Sequence, residues 1–485
     1  MNGIIEIIEN LFSFSYEKPW FFTEINFLLI FSLFLFGYAF FDNKSEWRRI
    51  YLILFSLFFY YKSSGPFLLL FIGVIICDFF LAKSISKSNG TKRKIILVLS
   101  IIYSTSFLLY FKYTNFFIGN LNNFFDTQFT EANLFLPIGI SFYTFQSLSY
   151  LIDVYKKEIL PSEKFTDYAF YMTFFPHLVA GPIVRARDFL PQINQPFSLD
   201  SILLKEGIFR ICIGFTKKLL IADYLAKYVD LLHDNPTGFS GFEHLMSMYA
   251  YTFQIYFDFS GYSDIAIGIA LILGYRLKEN FDNPYGSFNI TEFWRKWHIS
   301  LSLWLRDYIY IPLGGNRNGV FNSYLFIFIT MLVGGFWHGA DWRFVFWGIA
   351  HGLLLISHKL ISPYLPKKLL FSNVLGLLFT FHLVGILWIF FRATSFEASF
   401  MSIEKIFCAV DLNEFIGFWT ARPEVLIALG ISCLIIFTPK FLKGLIFDKI
   451  KSLPLIIWPF IILLIVQLVI QLKDQEVQPF IYFQF

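Results

Sequence analysis

Two short strings carry the residues best suited to chemistry. One is Phe293-Trp294-Arg295-Lys296-Trp297-His298-Ile299-Ser300; the other, about forty positions on, is Phe336-Trp337-His338-Gly339. Histidine exchanges a proton near neutral pH, so His338 is a candidate catalytic base, with His298 a second polar histidine not far upstream. Arg295, Lys296, Arg306 and Arg317 are candidates to hold the phosphates of an anionic donor, on electrostatic grounds. His338 lies in Gly334-Gly335-Phe336-Trp337-His338-Gly339-Ala340. Its small neighbours let another helix or a substrate come close. A packed, hydrogen-bonded core histidine is the competing reading. His351, His358 and His382 are more isolated and read as structural or interfacial.

These ionisable groups sit in a very apolar chain. Of 485 residues, 56 % are hydrophobic and 15 % charged, and mean hydropathy is +0.60. An ordinary soluble chain is nearer a quarter charged. The composition therefore predicts an all-α, polytopic integral membrane protein, in which ionisable groups at bilayer depth are retained for function. The 66 phenylalanines supply lipid-facing and packing surface and carry no functional weight alone. Apolar stretches near 26–41, 50–61, 66–82, 95–112, 134–152, 165–180, 206–222, 245–275, 321–337, 342–360, 371–391, 424–438 and 453–472 suggest 11 to 13 transmembrane helices. Several fall short of the roughly 20 residues a perpendicular helix needs, so some must tilt, re-enter or lie at the interface. The 245–275 run is broken by Gly261 and reads as two elements. A single polytopic domain is expected over 1–485, with N-terminal helices in 1–130, a core in 134–352 and C-terminal helices in 353–485.

Loop charge sets the orientation. Segment 83–94 holds Lys83, Lys87, Lys92, Arg93 and Lys94 without an acid and should face the cytoplasm. Segment 113–133, with Asp126 and Glu131, should face out. That puts the acidic N-terminus (Glu6, Glu9, Glu17, Glu24) outside and Trp47-Arg48-Arg49 inside. No cleavable leader is apparent in the first 24 residues. A net charge of +4 gives no reason to invoke nucleic acid. Cys77, Cys212, Cys408 and Cys433 stand singly, as small buried hydrophobes. No ligand set of metal-binding spacing occurs.

Three polar clusters interrupt the apolar background. In Phe175-Pro176-His177-Leu178-Val179-Ala180-Gly181-Pro182-Ile183-Val184-Arg185, proline and glycine break a helix, either at the interface or where the backbone lines a cavity. In Tyr256-Phe257-Asp258-Phe259-Ser260-Gly261-Tyr262-Ser263-Asp264, two carboxylates need partners. Arg276, Lys278 and the arginines that follow are available, either for ion pairs that hold helices in register or beside a substrate. In residues 292–317, Trp294, Trp297, Leu301, Trp304 and Tyr308 recur every three or four positions, and Arg295, His298, Ser302 and Arg306 do so on another face. The pattern predicts one amphipathic helix, lying at the interface or offering its cationic stripe to an anionic ligand. The turn Ile311-Pro312-Leu313-Gly314-Gly315-Asn316-Arg317 lacks the Walker A pattern, so ATP hydrolysis gains no support.

These three clusters and the Gly334–Ala340 string, taken in order, resemble the motifs of the membrane-bound O-acyltransferase family, and most closely its bacterial branch typified by alginate O-acetylation. The ending Pro479-Phe480-Ile481-Tyr482-Phe483-Gln484-Phe485 is similar to that branch too. The resemblance spans about 137–352 and the C-terminus; the N-terminal hundred or so residues share only their hydrophobic helices. It implies a multi-helix fold around a trans-bilayer tunnel, in a bacterial inner membrane. His338 stands where the family's essential histidine stands. His298 holds the second polar position, which is Asn or Asp in many eukaryotic members, as a second base, an orienter or a relay. The implied donor is acetyl-CoA, with no permanently bound cofactor. The implied partners are the lipid bilayer, a polysaccharide acceptor and an extracytoplasmic acetyltransferase. Tryptophans 294, 297 and 304 would pack the tunnel wall. Peptidoglycan is the next acceptor and D-alanylation of teichoic acids the third. A polysaccharide or lipid transporter or a secretion-complex scaffold are the rivals from other classes. No internal repeat supports a transporter, and a scaffold leaves His298 and His338 unexplained.

Overall fold

The structure, a computed structural model, describes residues 11–16, 19–41, 46–179, 181–193, 195, 201–364, 370–472 and 480–481. Glu6, Glu9 and Glu17, Ala180, and Pro479 with residues 482–485 lie outside them. Helices make up the regular structure and no strand occurs among the described residues. The chain folds as two compact units. One comprises residues 1–200 with 269–278, the other residues 201–268 with 279–485.

The first unit contains α1 (Ile25–Tyr38), α2 (Glu46–Ser64), α3 (Phe67–Lys87), α4 (Gly90–Leu108), α5 (Thr114–Phe125), α6 (Ile140–Lys156) and α7 (Phe165–Thr173). A π turn, Leu109–Tyr113, joins α4 to α5. Much of the phenylalanine is spent here on itself. Phe22, Phe27, Phe31, Phe55 and Phe59 all surround Phe175, with ring centroids 5.1–6.2 Å from it. Buried polar side chains tie the helices where apolar ones cannot set register. The hydroxyl of Tyr168 donates to Asp78 at 2.9 Å, Ser104 meets Ser147 at 3.1 Å, and Arg93 donates to the last carbonyls of α6. The first polar cluster is one turn, Phe175–Leu178, and is packed inside protein. His177 is fully buried and its Nε2 donates to the carbonyl of Tyr171 at 3.0 Å. The broken backbone is thus sheltered inside protein.

The second unit contains α8 (Ser201–Phe215), α9 (Asp223–Asp234), most of α10 (Gly241–Ile272), α11 (Ile290–Lys296), α12 (Ile299–Leu305), α13 (Val320–His338), α14 (Trp342–Ile361) and α15 (Leu370–Arg392). It continues with α16 (Phe396–Cys408), α17 (Glu414–Ala421), α18 (Pro423–Phe437), α19 (Lys440–Lys451) and α20 (Trp458–Leu472). Contrary to the expectation of two elements, α10 runs unbroken through Gly261 for 32 residues, about 48 Å. Gly261 is a contact point. A Cβ on Gly214 would lie 2.5 Å from the Gly261 carbonyl, and one on Gly268 would lie 2.6 Å from that of Gly207. Glycines seven apart on each helix thus let α8 and α10 cross antiparallel with touching backbones.

Six helices among the described residues are long and apolar enough to cross a bilayer, or up to eight if two sharply bent pairs each count as one span. The expected 11 to 13 also takes in apolar stretches that fold as shorter helices. α1 has 14 residues, about 21 Å; α6 has 17 and α7 only nine. α17 with α18 and α19 with α20 bend by 97° and 96°.

Candidate active site

The segment carrying His298 is a broken helix, which corrects the expectation of one continuous amphipathic one. Asn289 caps α11 by accepting from the Glu292 amide at 2.9 Å, as an N-cap side chain does. The helix stops at Lys296, Trp297 turns extended, and His298 enters the left-handed region at φ 41°, ψ 58° before α12 begins. A non-glycine residue there is strained by roughly 1–3 kcal/mol and must be held by its surroundings. Asn280 does the holding. Its carbonyl accepts from the Ile299 amide at 2.8 Å, and its Oδ1 accepts from the Ser300 amide at 3.2 Å and hydroxyl at 2.8 Å.

That arrangement fixes the histidine's tautomer. The Ser300 amide can only donate, so the Asn280 atom facing it is oxygen. The same Oδ1 lies 3.2 Å from His298 Nδ1. Nδ1 therefore carries the proton and the lone pair is on Nε2. Complete burial pushes the imidazole down to about 3, so the ring is neutral at pH 7. Asn280 is the positioning residue that sequence reading missed. It sits eighteen positions upstream of His298, and no periodicity links the two.

His338 closes α13, almost fully buried, before Gly339 turns extended. Its ring packs against Trp337, Trp347 and Phe391 at centroid distances of 5.0, 5.1 and 5.2 Å. Trp337 also neighbours His298 at 6.3 Å, so one indole lies beside both histidines. Small residues make this possible. A Cβ on Gly348 would lie 2.5 Å from the Met331 carbonyl and 2.9 Å from the Cα of Gly335, so α13 and α14 meet backbone to backbone just beneath His338. Gly348→Ala should force them apart, with a loss of about 1–3 kcal/mol typical of overpacking, read as a lower thermal midpoint of the detergent-purified protein. His351, expected to be structural or interfacial, is fully buried. Its Nδ1 accepts from Trp294 at 3.3 Å, and its ring is 4.5 Å from that of Trp347.

The tryptophans face inward. Trp294, Trp297 and Trp304 are all buried, and Trp297 lies 5.0 Å from Trp388; α11 and α12 therefore turn these aromatics into the protein. The four candidate cations do not join the histidines. Arg295 and Arg317 are exposed, Lys296 pairs with Glu292 at 2.6 Å, and Arg306 pairs with Asp307 at 2.6 Å. Thr291 on α11 bonds His358 at 2.8 Å, and Lys359 reaches Asn316 and Ser323 at 3.2 and 3.0 Å. Arg295 and the turn bearing Arg317 thus border the C-terminal end of α14, whereas His338 packs near its N-terminal end. From Trp347 to Lys359 the helix rises about 18 Å.

Asp258 and Asp264 form ion pairs, but with upstream lysines in place of the expected Arg276, Lys278 and later arginines. A π turn, Thr216–Ala222, aims Lys218 at Asp258 and Asp223 (2.6 and 2.7 Å) and Lys217 at Asp264 (2.6 Å). The C-terminal segment reaches the same place. The Ile481 amide donates to Asp258 at 2.7 Å, and Phe480 lies 5.4 Å from Phe259, whose ring is 4.6 Å from His298.

Residues 53–400 match the sequence profile of the membrane-bound O-acyltransferase family. The chain belongs to that family. This membrane-bound O-acyltransferase is 37 % identical to a probable alginate O-acetylase of Pseudomonas putida, over 96 % of this chain and all of the relative. It is 41 % identical to the Pseudomonas aeruginosa counterpart (75 % and 71 % covered). A peptidoglycan O-acetyltransferase of Helicobacter pylori is 38 % identical, with 72 % of each chain covered. The protein is thus an acyltransferase with a multi-pass helical body, and the matched span contains His298, His338 and all four cations.

Proposed function

We propose that the protein passes an acetyl group from cytoplasmic acetyl-CoA through the membrane to a hydroxyl of an extracytoplasmic polysaccharide of the alginate kind, with an extracytoplasmic acetyltransferase as partner. The observation that carries this is the pair of buried histidines beside Trp337, about 18 Å along α14 from exposed cations. His338 takes the proton of the attacking hydroxyl. The oxygen adds to the thioester carbonyl, the tetrahedral intermediate collapses, and the thiolate leaves and regains a proton. His298, neutral with its lone pair on Nε2, serves as orienter or relay. Arg295, Lys296, Arg306 and Arg317 bind coenzyme phosphates, with Arg295 and Arg317 at the far end, and the pantetheine arm spans the intervening length through a passage between the tryptophans. The protein resides in a bacterial inner membrane, with the N-terminus outside and segment 83–94 in the cytoplasm. Peptidoglycan is the second acceptor, favoured by the Helicobacter relative.

The test supplies radiolabelled acetyl-CoA to inverted membrane vesicles. Label on lumenal glycan or a lumenal partner protein supports the reading, and its absence when glycan and partner are both present would sink it. Replacing Arg295 and Arg317 together with alanine should raise KM for acetyl-CoA with kcat little changed, since such contacts act on ground and transition state alike. Charged hydrogen bonds of about 1.5–3 kcal/mol predict a rise of tenfold or more in steady-state assays.

A further inference from the structure

The chemistry above leaves one atom without a partner, the carbonyl oxygen of the thioester. When the hydroxyl oxygen adds, that carbonyl oxygen takes on negative charge, and in a low-dielectric site it is best stabilised by donors already in place. The four candidate cations do not join the histidines. Arg343 and Arg392, next in sequence to the packed rings of Phe344 and Phe391, are matched by Asp341 at 2.9 Å and Asp230 at 2.5 Å. The donors must therefore be neutral.

Two such donors lie in the layer of His338. Trp294 donates its indole N–H to His351 Nδ1 at 3.3 Å. An indole only donates, so Nδ1 holds the lone pair, the ring is neutral and the proton is on Nε2. Trp347 and His351 are both fully buried, and Trp347 Nε1 and His351 Nε2 have no hydrogen-bond partner among the described residues. The neighbouring indole of Trp388 differs, since it donates to Tyr285 at 3.1 Å. Buried N–H groups are nearly always paired, so two unpaired ones side by side require an acceptor. Trp347 and His351 stand one turn apart on one face of α14, with ring centroids 4.5 Å apart. Trp347 also lies 5.1 Å from His338. A base and two N–H donors thus share one layer, and the acceptor that the reaction creates there is the oxyanion.

We infer that Trp347 Nε1 and His351 Nε2 donate to the thioester carbonyl oxygen and stabilise the charge it carries during transfer. The inference rests on the proposed acetyl transfer. As the attacking oxygen bonds to the carbonyl carbon, the π pair moves onto the carbonyl oxygen, and the hydroxyl proton goes to His338. As that pair returns, the C–S bond breaks and the sulfur takes the proton from His338. The two donors interact more strongly with the oxyanion than with the uncharged thioester, so their effect falls on kcat.

The test is steady-state transfer from radiolabelled acetyl-CoA in inverted membrane vesicles with glycan and partner present, alongside thermal unfolding of the same full-length proteins in detergent. His351→Phe keeps an aromatic ring against Trp347 and removes the donor. Its kcat should fall about a hundredfold, as for the loss of one oxyanion donor, with KM for acetyl-CoA within about twofold of wild type. His351→Gln, whose side-chain amide can accept from Trp294 and donate in place of Nε2, should regain about tenfold of that loss. A packing role alone predicts the opposite order, because phenylalanine fills the place of the ring better than glutamine does. Wild-type kcat in His351→Phe, or a glutamine variant no faster than the phenylalanine one, would overturn the inference and leave the acetyl transfer standing. If phenylalanine also lowers the thermal midpoint, the order of the two variants still decides. No transfer by the wild type would remove the acetyltransferase reading and this inference with it.

Discussion

His338→Ala is expected to lower acyl transfer by about 10²–10⁴-fold, the range a positioned general base supplies, while the chain stays folded and membrane-inserted. The geometry gives the reason for both halves. The imidazole ends α13 among Trp337, Trp347 and Phe391, where three large rings define its place and would still pack around the smaller side chain. The glycines that bring α13 and α14 together are untouched by the change. KM for acetyl-CoA should move little, because Arg295 and the turn bearing Arg317 lie near the other end of α14. Steady-state transfer from radiolabelled acetyl-CoA in vesicles reads kcat and KM separately. Rates equal to wild type would remove His338 as the base and turn attention to His298. There Asn280→Ala offers a milder perturbation, since it frees the imidazole's tautomer without removing the ring.

The sequence made the membrane body and the histidine pair legible for physical reasons. Charge is scarce in this chain, so each ionisable group stands out against its surroundings, and glycine beside His338 marked the close approach that α13 and α14 make. The family resemblance then added roles that periodicity could not. What stayed hidden was backbone. Trp294, Trp297, Leu301 and Trp304 keep a helical rhythm across the break at His298, because two short helices with a left-handed residue between them still turn all four side chains inward. Only Asn280, distant in sequence, reveals why the break is tolerated. The lysine partners of Asp258 and Asp264 were sought downstream because cations are dense there. They come from upstream, where a π turn rotates two adjacent lysines toward α10, and a π turn has no signature in an apolar stretch. Hydropathy also counts residues and not helices, so it does not reveal that apolar stretches of the first unit fold as helices as short as α1 and α7.

Lys218→Met is expected to destabilise the protein by about 3–5 kcal/mol, the scale for breaking a buried ion pair. Lys218 is 3 % exposed and lies between Asp258 at 2.6 Å and Asp223 at 2.7 Å. Removing the ammonium leaves two carboxylates near each other, with Asp258 buried away from solvent. The loss would spread, because Asp258 also holds the Ile481 amide and thereby the segment whose Phe480 packs on Phe259 beside His298. Transfer activity should therefore fall together with the thermal midpoint, unlike the clean catalytic loss at His338. The second variant that decides the cause is Lys218→Met with Asp258→Asn. The asparagine carbonyl still accepts from Ile481, while the uncompensated charge is gone, so the double variant should be more stable than the single one. Thermal unfolding of both proteins in detergent, followed by tryptophan fluorescence, measures the difference. Equal midpoints for single and double variants would mean that shape, not charge, sets the role of Lys218. The two helices would then owe their register to the glycine contacts between Gly214 and Gly261.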